Sequence, residues 1–527
     1  MTPGGRASPG ACLLAALPAL AAGLVNLVML SRSPLFFYPV VDAAWHHAWA
    51  GSIASGNITA YAPYFRAPLY PLLLGGLYAF TGPSVTAGAL LSTVLHAISA
   101  ALLFRIASGW MPRGAAAAAA VCWGLWGTAV AYSSTLLIEP LYIVLILASF
   151  LFLDEDRTRS GMLFLGLAAI ARPGALAVIP ALLLASKPGR LARGIPLFLA
   201  PVAAVWAVNA LAGDAGTVIS SQGGINLYIG NGPEADGFTA FAPAAPPPQT
   251  EEVLPYRDNV EAASFALAPP GLRPSEVSAW WVLKTLEEAA RNPGRVIALL
   301  ARKAALMFAT QEIPCNYDGY YLRRYSPLLS VLLLPVGIPM LVLWALLPGA
   351  VASGRPTRRE LFLASWLLLM ACGVVAFFVT ARFRLPLVPF ALLLLAARAV
   401  RYGRRSLILA PVGIAAGIAV SLPWRGVVER SGVNMPFHDA LAHCEQGQTG
   451  EARALFLEAI DRASGRADSI SLNRAEAMLD LAVLEAREGR TEQAARWLEA
   501  LESEYPGFIE SRRPGILQGN TGPPGRL

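Results

Sequence analysis

The chain has 527 residues, of which 55% are hydrophobic and 14% charged, against roughly 25% charged in an ordinary soluble protein; its mean hydropathy is +0.52. That composition excludes a disordered scaffold, a coiled coil and a cytosolic enzyme, because so many apolar side chains need lipid as part of their solvent. The net charge of +7 points to no nucleic-acid partner, since the excess arginine lies in short loops between apolar runs, the pattern that orients a chain in a membrane.

A membrane-crossing helix needs about 20 apolar residues, because lipid satisfies no open backbone. The first run, 11–30, carries no charge and no small-residue cleavage site, so it reads as an uncleaved anchor. Residues 68–82, fifteen positions with two prolines, predict a helix that dips into the interface or opens the next span. Charge-free stretches then predict spans near 84–104, 114–138, 140–153, 161–186 (interrupted at Arg172-Pro173), 195–213, 327–353, 361–381, 385–397 and 406–424. Between them, 221–232 is rich in turn formers around a short strand or helix start. The proline-rich 242–248 predicts extended chain, and 295–310 an amphipathic helix whose Arg302 and Lys303 suit the bilayer surface. Five scattered cysteines (Cys12, Cys122, Cys315, Cys372 and Cys444) have no C-x-x-C spacing and argue against a metal cage or disulfide framework.

Basic clusters at Arg105/Arg113, Arg157/Arg159, Lys187/Arg190/Arg193, Arg355/Arg358/Arg359 and Arg401/Arg404/Arg405 fix sidedness. One alternation of about ten or eleven spans puts all of them on the cytoplasmic face. The same alternation puts 31–67, Glu139, Arg172, the long loop 214–326, Arg382/Arg384 and everything after 425 on the opposite face. The fold class expected is an all-α polytopic membrane protein with a membrane domain over 1–425.

After 434 the character changes. Ala-, Leu- and Glu-rich helical periodicity returns, and Gly447-Gln-Thr-Gly-Glu-Ala452 aligns with Gly489-Arg-Thr-Glu-Gln-Ala494. This is the helix–turn–helix pattern of tetratricopeptide repeats over 434–510, with 463–469 as an insertion and 511–527 a disordered tail. Two units are too few to stand alone, so they should lean on the membrane domain or on a protein partner; a plain helical hairpin is the simpler alternative.

Ionisable residues at membrane depth are expensive and so carry a functional hypothesis. Asp42 sits among aromatics and would serve equally well as a helix N-cap. His46 and His47 read as packing residues, and Arg66 on its own as an interfacial arginine that reaches for water. Glu139 is the single charge in 114–153 and needs a cation, metal or water-filled cavity beside it. Arg172 interrupts an apolar hairpin. Arg382 and Arg384 lie on the outer face, where positive-inside logic would avoid them, and guanidinium groups match phosphate oxygens with two parallel donors. Two carboxylates and four arginines on one face suit substitution at a lipid-linked phosphate compound, with arginines on the phosphate and a carboxylate taking a proton.

Asp42, 66–71 (Arg-Ala-Pro-Leu-Tyr-Pro), 133–140 with Glu139, 166–173 ending Ala-Arg-Pro, and 381–386 (Ala-Arg-Phe-Arg-Leu-Pro) form an ordered set. It resembles the GT-C glycosyltransferases of the protein O-mannosyltransferase-like superfamily (family 39), which includes the lipid A aminoarabinose transferase, over roughly 10–420. The resemblance implies a GT-C-type bundle of about 10–13 helices in a bacterial inner membrane. It implies inverting transfer of one sugar from a polyprenyl-phosphate donor to a glycan, lipid or protein acceptor at the periplasmic face. On this reading Asp42 is the catalytic carboxylate, Arg66, Arg172, Arg382 and Arg384 hold donor phosphate or sugar, and Glu139, with Asp42, is the place for a divalent metal ion in members that use one. Many members carry Asp-Glu where this chain has Asp42-Ala43, which weakens metal binding there and leaves the base intact. The competing classes are an O-antigen ligase or polymerase, a lipid-linked glycan transporter, and a scaffold that recruits partners through its tail. The ligase would place its basic residues in the long loop, and the transporter would show an internal repeat in the membrane region.

Overall fold

The structure is a computed structural model, and it describes residues 7–185, 188–240, 259–333, 338–424, 426–430, 435–464 and 470–512. The proline-rich 242–248, Lys187, most of the expected insertion at 463–469 and nearly all of the 511–527 tail lie outside the described residues. Within them every regular element is helical, and the one β-bridge joins Cys315 to Tyr317.

Among the described residues, five helices are long and apolar enough to cross a membrane: Pro9–Leu30, Val85–Ser108, Arg358–Ala376, Ala381–Tyr402 and Arg405–Trp424. Five more apolar helices are shorter, among them Leu69–Thr81, Thr158–Ala171 and Ile195–Leu211. Large apolar side chains such as Leu13, Leu183, Leu211, Leu407 and Ile408 stand exposed on their outer faces. A water-facing surface does not carry so many contiguous apolar groups. Pro9–Leu30 packs on Val85–Ser108, which packs on Glu139–Asp154, then Thr158–Ala171 and Ile195–Leu211 in turn. Ile338–Ala352 lies against Val388–Tyr402 and Arg405–Ser421. Glycine permits the closest approaches: a Cβ on Gly166 would stand 2.3 Å from the Phe198 carbonyl oxygen, and one on Gly413 2.0 Å from that of Trp344.

The span expected over 114–138 is not one helix. Arg113–Gly124 stops, a short helix Gly127–Tyr132 follows, and 133–138 is non-helical. The freed carbonyls find side-chain donors on neighbouring helices. Asn26 Nδ2 reaches Val130 O (3.2 Å), Thr93 Oγ1 reaches Ser133 O (3.0 Å), Ser92 Oγ reaches Thr135 O (3.0 Å) and His46 Nδ1 reaches Leu136 O (2.9 Å). Such a break is stable in an apolar setting only where protein supplies the missing partners. Its consequence is positional: Glu139 becomes the first residue of the helix Glu139–Asp154. At the other end of that helix, about 24 Å away at 1.5 Å per residue, Asp154 pairs with Arg359, and Arg105–Glu155 and Arg190–Asp156 lie alongside.

Two other expectations change. Residues 221–232 form a helix, Gly223–Asn231, and no strand. The amphipathic helix is Pro293–Met307, but Lys303 turns inward, fully buried, and donates to Asn231 Oδ1 at 2.8 Å, while Arg302 stacks on Phe238. That helix therefore braces Gly223–Asn231, where the sequence suggested that both charges suit the bilayer surface.

Beyond 434 lie two helical hairpins, Met435–Glu445 with Thr449–Arg462 and Ile470–Arg487 with Thr491–Glu504. Gly447 and Gly489 end the first helix of each pair at φ 71° and 77°, the left-handed C-cap conformation glycine adopts without strain. The hairpins share a core of their own and dock on the rest of the chain. Buried Asp439 accepts from Tyr321 OH (2.6 Å) and Tyr325 OH (2.5 Å), and Arg324 Nη2 donates to Glu458 (2.9 Å).

Candidate active site

Four local breaks in helical structure bring five ionised side chains together. The helix Asp42–Ala54 is capped at Val41 with no side-chain cap bond, so Asp42 does not act as the N-cap and its carboxylate is free to face inward. Val41 itself sits at φ 50°, which a β-branched residue seldom adopts and which marks strain retained beside a site. Arg172 precedes Pro173 and is held extended, at φ −151° and ψ 113°, as the steric clash with a proline ring requires; this ends the helix Thr158–Ala171. Arg382 lies in the single turn Ala381–Arg384 that leads through a 3₁₀ segment into Val388–Tyr402.

Arg382 is the hub. Its Nη1 donates to Asp42 Oδ2 and its Nε to Glu139 Oε1. Arg66 Nη2 donates to Asp42 Oδ1 at 2.8 Å, and Arg172 Nη2 to Glu139 Oε1 at 2.5 Å. Arg66 also stacks on Trp45, and Arg172 on Phe383 and Tyr142. Arg66 is thus buried in an ion pair, no snorkelling residue. Three guanidinium groups against two carboxylates leave the cluster with one net positive charge. Burial alone would push the Asp42 carboxyl up; the charges of Arg382 and Arg66 outweigh it and hold that carboxyl well below the usual range.

The cluster opens on a cavity of about 310 Å³. Asp42, Arg66, Arg172 and Arg382 line it together with His46, Cys315 and Asn316. Ser220, Gln222 and Asn226 add a polar wall, and Met370, Val374, Phe377 and Leu387 an apolar one. Glu139 is fully buried and does not line the cavity; it holds Arg172 and Arg382 from behind.

Arg384 does not join them. Its Nη1 donates to Leu306 O (3.1 Å) and Ala309 O (2.7 Å), and its Nη2 to Gln311 O (2.5 Å) and Glu312 Oε2 (3.0 Å). Residues two apart on a helical turn point to different sides, so Arg382 enters the site while Arg384 staples the 306–312 segment. His46, expected only to pack, is a cavity residue one turn after Asp42. Its Nδ1 is engaged by Leu136 O, and burial pushes its pKa down to about 4 against the pull of Asp42. Sequence reasoning missed Cys315 and Asn316, which no motif marks, and it took Gln222 and Asn226 only as turn formers.

No protein-family model, curated protein or solved structure matches the chain.

The donor set does not fit a divalent metal. Both Asp42 oxygens are taken by arginines, and Glu139 is screened from the cavity by two of them. The net positive charge opposes a cation and favours an anion.

Proposed function

We propose that the protein is an integral membrane glycosyltransferase that moves a sugar from a polyprenyl-phosphate donor to an acceptor hydroxyl or amine, with inversion. It uses a GT-C-type bundle of about 10–13 helices in a bacterial inner membrane. The five-charge cluster is on the periplasmic face, the basic clusters at the far end of Glu139–Asp154 are cytoplasmic, and the two C-terminal hairpins are tetratricopeptide-like units. The observation that carries this reading is the convergence of Asp42, Arg66, Arg172 and Arg382 on one cavity that is polar on one wall and apolar on another.

A phosphodiester brings one negative charge, which matches the single excess positive charge of the cluster. Its oxygens take guanidinium donors from Arg66, Arg172 and Arg382, each a charge-assisted hydrogen bond, and the first isoprene units lie along Met370, Val374, Phe377 and Leu387. As the arginines turn to phosphate, Asp42 loses the partners that suppress its basicity. It then accepts the proton of the acceptor group attacking the anomeric carbon from the face opposite the phosphate. The carbon–oxygen bond to phosphate breaks, its electron pair stays on phosphate, and the arginines neutralise the added charge. Preorganised donors of this kind contribute on the order of 3 kcal/mol each to the transition state.

The test is turnover in proteoliposomes with a panel of sugar-labelled polyprenyl phosphates and a membrane-envelope extract as acceptor. The wild type should consume one donor class and pass its label on. If no donor in the panel is consumed, the transferase reading is wrong.

A further inference from the structure

Asn316 has features the mechanism above leaves unused. It is 8% exposed, lines the cavity and sits at φ 65°. Its Oδ1 accepts from Cys315 Sγ at 3.3 Å, but its Nδ2 has no hydrogen-bond partner among the described residues. A buried amide donor left unmatched costs about 1–3 kcal/mol, so an acceptor atom that enters the cavity is the natural partner for it. Gln222, the N-cap of the helix Gly223–Asn231, and Asn226, four residues on within it, also line the cavity. Glycine packing fixes that helix: a Cβ on Gly224 would stand 1.9 Å from the Ser278 carbonyl oxygen, and one on Gly230 2.1 Å from that of Phe377.

We infer that Asn316, Gln222 and Asn226 form the sugar subsite, and that it takes an uncharged sugar. The inference rests on the transferase reading and narrows its substrate. Primary amides donate and accept at once, as sugar hydroxyls do, so three amides can recognise several hydroxyls with no charge involved. Among the described residues, the ionised side chains that line the cavity are Asp42 and the three arginines. An amino sugar would bring an ammonium group among three guanidinium groups, and its one carboxylate partner there, Asp42, is the base that must stay open to the acceptor. A uronic acid would compete with the phosphate for the same guanidinium groups, and with both anions bound the cluster could neutralise only one.

The experiment measures equilibrium binding to detergent-solubilised protein of polyprenyl methyl phosphate, a bare lipid phosphate with the donor's single negative charge, and of the same lipid phosphate carrying a neutral hexose, a uronic acid or an amino sugar. The wild type should bind the neutral-hexose lipid at least tenfold more tightly than the bare lipid phosphate, and more tightly than either charged form. Asn316→Gly removes the amide and places at this positive-φ position the residue that tolerates it best; Asn226→Ala removes the amide that the helix Gly223–Asn231 supplies. Each should lose most of the tenfold preference and still bind the bare lipid phosphate as the wild type does. Retained preference in both variants, or tighter binding of a charged sugar, would overturn the inference and leave the transferase reading standing. Failure of the wild type to bind polyprenyl methyl phosphate would overturn both.

Discussion

Arg382→Met is the most revealing single change, because Arg382 alone bridges both carboxylates. Methionine fills much of the space and removes the charge. Asp42 keeps Arg66 and Glu139 keeps Arg172, so neither carboxylate is stranded entirely. Breaking a buried pair costs about 3–5 kcal/mol when the survivor has nothing left; with one partner remaining on each side, the loss should fall near 3 kcal/mol. The net charge of the cluster drops from plus one to zero, and the phosphate loses one charge-assisted bond. At about 1.5–3 kcal/mol that weakens donor binding roughly 10- to 100-fold. Glu139→Gln in the same background removes the carboxylate that Arg382 had neutralised, so the double variant should regain about 1–3 kcal/mol relative to the sum of the single effects. Denaturant unfolding in detergent micelles of the wild type, both single variants and the double variant measures this coupling. Effects that add to within about 0.5 kcal/mol, or an Arg382→Met loss below about 1 kcal/mol, would refute the bridged cluster.

Stability should fall with acid partly through His46. The unfolded ring takes a proton near 6.5 and the folded ring only near 4, so its contribution is complete above pH 6.5 and disappears as pH falls towards 4. The full window corresponds to about 3 kcal/mol; His46→Asn should show a flatter profile between pH 7.5 and 4.5, and parallel profiles would count against burial of a neutral ring. Asp439→Ala removes the acceptor that the Tyr321 and Tyr325 hydroxyls share. At about 2 kcal/mol it should speed amide exchange in Met435–Glu445 roughly 30-fold, and unchanged exchange would show that the hairpins are held by other contacts. Gly230→Ala raises helix propensity yet should destabilise by about 1–3 kcal/mol through overpacking and weaken donor binding, because the Phe377 backbone must move. A variant as stable as the wild type would refute the close approach.

The gross plan was legible because charge is scarce in this chain. Glu139 and Arg172 stood out against long apolar surroundings, and the structure brings both to one cluster with Asp42, Arg66 and Arg382. What stayed hidden depends on direction. Sequence adjacency made Arg382 and Arg384 a pair, but a single helical turn sends one into the cavity and the other to the carbonyls of 306–311. The helix break at 133–138 was masked because Ser, Thr and Leu read as span residues, and only the donors on Asn26, Ser92, Thr93 and His46 make it affordable. Asn316 carries no local motif; its placement comes from the non-helical 312–318 segment, stapled by Arg384 at one end and tied to the C-terminal hairpins through Tyr321 and Arg324 just beyond the other.

The central claim is tested most directly by single-turnover reaction of the preferred donor with wild type and with Asp42→Asn. The wild type should transfer the sugar with inverted anomeric configuration. The variant, whose cluster gains a second net positive charge, should bind donor at least as tightly and transfer it on the order of 10²- to 10⁴-fold more slowly, the range expected for loss of a general base. Transfer by Asp42→Asn at the wild-type rate, or a product with retained configuration, would contradict the account.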